Sequence, residues 1–156
     1  MNIGIFSAEN AAKEIKQHSK RWHVVSLRDC KYGGDTHILD NLDDDTKGIF
    51  IKRFDDVSHV KYENMGYTPP KQSDIKDILD WVKGEEPKNL MVHCWAGVSR
   101  SSATAYIIAC TIMEPEEAIK LLIPGKHIPN EMIIEHGAFI LGDRGIWLTY
   151  ARKFVV

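Results

Sequence analysis

Near the middle of the chain an apolar run, Asn89-Leu90-Met91-Val92, meets a short loop-like segment, His93-Cys94-Trp95-Ala96-Gly97-Val98-Ser99-Arg100-Ser101, and small or apolar residues then run from Ser102 to Ile112. The first run has the length of a buried strand. The last has no polar face, which suits a helix enclosed on every side. A strand, a tight loop and a buried helix in that order call for an α/β architecture, a mostly parallel sheet covered by helices with the loop at the carboxyl end of a central strand. Backbone N–H groups of such a loop and of the helix start converge on one point and favour an anion there. The same field favours the thiolate of Cys94, a nucleophile placed beside a bound phosphate. Arg100 brings a planar fork of donors able to hold two phosphoryl oxygens and to follow them as the transferring group flattens.

The rest of the chain supports the same class. Ile3 to Phe6 reads as a strand, Ala8 to Lys20 as an amphipathic helix and Trp22 to Leu27 as a second strand, which implies a parallel pair. Arg28 to Gly48 is loop-like, with Gly33-Gly34 and Asp43-Asp44-Asp45, and a third strand spans Ile49 to Phe54. Asp55 to Gln72 shows no periodicity and reads as a long functional loop. Ser73 is placed to cap a helix from Asp74 to Lys83, with Gly84 ending it. Pro115 starts a helix that Pro124-Gly125 breaks, and Asn130 caps one running to about Leu141. The tail from Ile146 to Val156 fits strand or helix equally.

At 156 residues the chain has the size of one domain, 1–156, able to bury a core without metal or disulfide support. A formal charge of -2 argues against broad nucleic-acid binding. The first residues lack a signal-peptide pattern and no stretch has the length of a membrane span, so a cytoplasmic protein is expected. The three cysteines, Cys30, Cys94 and Cys110, lack metal-ligand spacing, as in a reducing compartment, and Cys110 reads as inert packing. No metal is expected. The seven histidines show no ligand pairing, and three consecutive acids cannot all face one ion.

His93-Cys94 followed by Gly97, Arg100 and Ser101 resembles the Cys-x5-Arg signature of the cysteine-dependent protein tyrosine phosphatase superfamily, and Ala96 to Ser101 has the wording of its dual-specificity branch. Pro129-Asn130 before Ile133 and Ile134 is similar to a helix start of that branch, and Leu141-Gly142-Asp143-Arg144-Gly145 to compact bacterial and phage-type members. The resemblance implies phosphomonoester hydrolysis without a cofactor. It makes Cys94 the nucleophile, Trp95 to Arg100 the phosphate cradle, Ser101 the hydroxyl that helps the sulfur leave and His93 a residue that orders the loop. It also implies an upstream aspartate as proton donor, in the place where Phe54-Asp55-Asp56 stands. The family's wording selects Asp56, and strand alternation from Phe50 and Phe54 points Asp56 toward the core. Asp55 is the alternative, and a plain acidic turn is the bland reading of both. Trp95 and Val98 flank the entrance, with packing as the other reading of Trp95. Lys126 and His127 are further candidates for charge near the mouth.

The expected substrate is a phosphotyrosine protein, with phosphoserine and phosphothreonine as further candidates, and a monomer is the expected state. Phosphoinositide and RNA 5′-phosphate hydrolases share the loop, but their versions commonly add basic residues between the cysteine and the arginine, which Trp95 to Ser99 lacks. Sulfur transfer needs no upstream acid. A module that binds phosphoproteins without turnover is the rival outside enzymology, and Cys94, Arg100 and an acid together argue against it.

Overall fold

The computed structural model describes residues 1–30, 39, 42 and 46–155. Gly33-Gly34, Asp43-Asp44-Asp45 and most of the segment around them lie outside the described residues. Four strands, β1 (Asn2–Phe6), β2 (His23–Arg28), β3 (Gly48–Arg53) and β4 (Asn89–His93), pair in parallel in the order β1-β4-β2-β3. The strand that carries Cys94 at its end is therefore interior, with neighbours on both sides. Among the described residues the helices are α1 (Ala8–His18), α2 (Gln72–Glu85), α3 (Arg100–Ala109), α4 (Pro115–Ala118), α5 (Glu131–Leu141) and α6 (Arg144–Phe154).

Strand alternation divides the core into two layers. Val24 and Met91 face α1, where Ala8, Ala11 and Ile15 close a smaller cluster with Trp22. Val25, Leu27, Leu90 and Val92 face the larger one, filled by α2, α3, α5 and α6. Every residue of α3 is buried, as its lack of a polar face requires. A Cβ on Gly137 of α5 would come 2.5 Å from the Ile107 side chain, so this glycine sets how closely α5 packs on α3.

Several expectations are corrected. The helix read as Asp74 to Lys83 is longer at both ends. Its N-cap is Lys71 rather than Ser73, because the Asp74 carboxylate accepts the Lys71 N–H at 2.9 Å. It passes through Gly84 to Glu85 and stops at Glu86, which takes a left-handed φ of 47° immediately before Pro87. The aperiodic segment after Asp55 contains a 3-10 helix over Val60–Met65. The undecided tail is helical, with Asp143 as its cap accepting from Gly145 N–H at 2.8 Å. The reading of Cys110 as inert packing is borne out: the residue caps α3, packs against the larger core cluster, and burial pushes its thiol up to about 12, which keeps it protonated and unreactive.

Candidate active site

β4 delivers Cys94 to the end of the sheet, 3% exposed, with its Sγ 3.1 Å from Ser101 Oγ in the first turn of α3. The loop between them is held from both flanks. On one side Ala8 N–H donates to Trp95 O at 3.0 Å, and Gly97, at φ 72°, lies so close to the β1–α1 junction that a Cβ would come 2.6 Å from Ser7 N. Only glycine meets both the backbone angle and the close approach. On the other side Ile128 N–H donates to Val98 O at 3.0 Å and Asn130 N–H to Ser99 O at 3.2 Å, while Ser102 Oγ bonds both carbonyls. The carbonyls of Trp95, Val98 and Ser99 are thus satisfied by the flanking segments and by Ser102. The loop's amides are not: among the described residues no acceptor receives the N–H of Trp95, Ala96, Gly97, Val98 or Ser99. Trp95 is 50% exposed, so its side chain belongs to the mouth rather than the core.

Arg100 is 4% exposed. Its Nη1 donates to Asp29 Oδ1 at 2.8 Å and to the carbonyl of Phe54 at 2.9 Å, groups at the carboxyl ends of β2 and β3. Both Nη1 hydrogens are spent there. Nε is buried without a protein partner among the described residues, and Nη2 makes no protein hydrogen bond either. A buried cation with one edge anchored and the other unspent is a receptor for a bidentate anion.

His93 is ordered by register. Ser26 on β2 is its ladder partner on β4, so both side chains leave the sheet on the α1 face. Ser26 Oγ lies 2.6 Å from His93 Nε2 and accepts from Arg28 Nε at 2.8 Å, while His93 Nδ1 lies 3.1 Å from the Cys94 carbonyl. The carbonyl only accepts, so Nδ1 carries a proton toward it. The result is a ring held between Ser26 and the backbone of Cys94.

The two upstream acids have different surroundings. Asp55 accepts the amides of Cys30 at 3.2 Å and Thr68 at 2.7 Å, one on each oxygen, and so ties the ends of two loops together. Asp56 is exposed, which corrects the expectation that alternation carries it inward: β3 ends at Arg53 and the alternation stops there. Its Oδ1 accepts from Ser99 Oγ at 2.8 Å and Asn130 Nδ2 at 3.0 Å, leaving Oδ2 without a protein partner among the described residues. Asn130 does two jobs, since its Oδ1 also caps α5 by accepting from Ile133 N–H at 3.2 Å. The cap was legible as the asparagine before an apolar helix; the reach of its amide to Asp56 was not. Asp29, Ser26 and Arg28 also escaped sequence reasoning, and their one signal is position, a polar cluster at the carboxyl end of a strand.

No family model matches the chain, and no curated protein matches it in sequence. Among solved structures the fold is that of the cysteine-dependent tyrosine and dual-specificity phosphatases. Human DUSP28 superposes with a TM-score of 0.58 at 11% identity, over 96% of this chain and 94% of that one. The PTP-2 phosphatase of Cydia pomonella gives 0.56 at 20% identity, over 87% and 83%. A human tyrosine phosphatase-like serine/threonine/tyrosine-interacting protein gives 0.56 at 14% identity, over 94% and 93%. Among the described residues no helix is long and apolar enough to cross a membrane.

Proposed function

We propose that the chain is a phosphatase acting on phosphoproteins in the cytoplasm, with phosphotyrosine as its principal substrate and phosphoserine and phosphothreonine as further ones. The observation that carries this reading is the set of unspent donors around Cys94: the loop amides from Trp95 to Ser99 and the free edge of Arg100. These donors match the equatorial oxygens of a phosphoryl group in transfer. The Cys94 thiolate attacks phosphorus and the bond to the ester oxygen breaks. Asp56, as the carboxylic acid, gives that oxygen its proton. Water then attacks the phosphocysteine, Asp56 takes a proton from it, and sulfur leaves with the Ser101 hydroxyl beside it. No step draws on a metal or cofactor.

Protein substrates are favoured over phosphoinositides and 5′-phosphorylated RNA because Trp95 to Ser99 brings no basic side chain for a second phosphate. The test compares kcat/KM for a phosphotyrosyl peptide, a short-chain phosphoinositide and a 5′-phosphorylated oligonucleotide. The peptide is expected to be turned over best; a preference for either of the others would reassign the substrate.

A further inference from the structure

Beside the phosphate loop a cavity of about 560 Å³ opens between the segment around His127 and the last helix, and Asp56 and Ser99 form the edge it shares with the loop. A leaving oxygen that takes its proton from Asp56 must lie at that edge, so the group attached to it extends over this cavity. The charges inside are unevenly committed. Lys153 directs two of its three N–H donors at the carbonyls of Ile119 at 3.2 Å and Leu122 at 3.1 Å and keeps its charge, held on that side of the cavity. His127 accepts Ile123 N–H on Nδ1 at 2.9 Å, and burial, then nearby Lys126, lower its pKa, so it is neutral. Glu131, the first residue of α5, is different. Its Oε1 receives the Tyr150 hydroxyl at a long 3.3 Å, and Oε2 has no protein partner among the described residues. Tyr150 stacks on Phe154 with ring centroids 5.9 Å apart and 18° between planes. The cavity therefore offers an uncommitted carboxylate next to aromatic carbon.

We infer that this cavity seats a basic side chain, arginine foremost, that flanks the phosphorylated residue of a protein substrate. A guanidinium lies against an aromatic ring while donating in its own plane to a carboxylate, and the lining offers the partly exposed ring of Phe154 and the open oxygen of Glu131. The inference rests on the phosphoprotein reading and assigns it a sequence preference.

The experiment uses phosphotyrosyl peptides identical except for one Arg, Gln or Glu, placed in turn at positions from two before to two after the phosphotyrosine. The kcat/KM ratios are measured for the wild-type protein, Glu131→Gln and Glu131→Lys. Each ratio is taken within one variant, so a loss of folded enzyme cancels. The wild-type protein is expected to favour Arg over Gln at one position by about fivefold, the scale of a partly exposed ion pair with ring stacking. Glu131→Gln should bring that ratio to about one, and Glu131→Lys should turn the preference toward Glu. No Arg preference at any position, or one that survives in Glu131→Lys, overturns the subsite. Wild-type turnover of a small aryl phosphate separates the two failures: without it the phosphatase reading fails, and with it only the subsite does.

Discussion

Arg100 and Asp29, 71 residues apart in the chain, meet through a 2.8 Å bond between Nη1 and Oδ1. The bond fixes which edge of the guanidinium is left for a ligand. The strands supply the rest of the anchor through the Phe54 carbonyl, so the arginine is positioned by the sheet ends and not by its own helix.

Removing that carboxylate tests the arrangement. Asp29→Ala leaves Arg100 with only the Phe54 carbonyl, and the partly exposed position of Asp29 limits the stability cost to about 1–2 kcal/mol. The freed guanidinium should cost kcat/KM more, roughly 10- to 100-fold, through misplacement of the clamp. Phosphate or vanadate should restore part of the lost thermal stability, because either anion pairs with the stranded charge.

The two acids should fail in opposite ways. Asp56→Asn is expected to slow tyrosyl and alkyl phosphate hydrolysis by roughly 100- to 10,000-fold, the range of a lost general acid, and to affect nitrophenyl phosphate much less because its leaving group departs without a proton. Asp55→Asn sets an amide against backbone donors and should cost about 1–3 kcal/mol in a urea melt, with no dependence on the leaving group. An exchanged pattern would make Asp55 the donor.

His127 gives the expected pH response. Its ring accepts a backbone N–H, which a protonated ring cannot do, and burial lowers its pKa from 6.5. The folded value lies below the unfolded one, so this stabilisation is present above about pH 6.5 and is lost as pH falls through the lowered value. The same segment donates Ile128 N–H to the phosphate loop, so acid should loosen both. Urea midpoints between pH 8 and pH 5 should fall more steeply in the wild-type protein than in His127→Gln.

Local patterns carried most of the fold into the sequence. The apolar run before Cys94 and the faceless segment after Arg100 define an interior strand and a buried helix by composition alone. The tail was ambiguous because Trp147, Tyr150 and Phe154 suit a strand as well as a helix; only packing on α5 selects the helix. The site was legible where its residues are contiguous, from His93 to Ser101. It was not legible where sheet order makes the neighbours. Ser26 meets His93 because β2 lies next to β4 in a particular register, and Asp29 meets Arg100 because β2 ends beside the loop. No spacing in the sequence encodes either pair.

The central claim is that Cys94 is a nucleophile in a cradle that binds the phosphoryl group independently of it. Cys94→Ser, assayed with a phosphotyrosyl peptide for turnover and for equilibrium binding, tests it most directly. Turnover should vanish while the peptide still binds, because the loop amides and Arg100 are unchanged. Turnover comparable to that of the wild-type protein would contradict the phosphocysteine route, and loss of binding together with turnover in a folded variant would contradict the independent cradle.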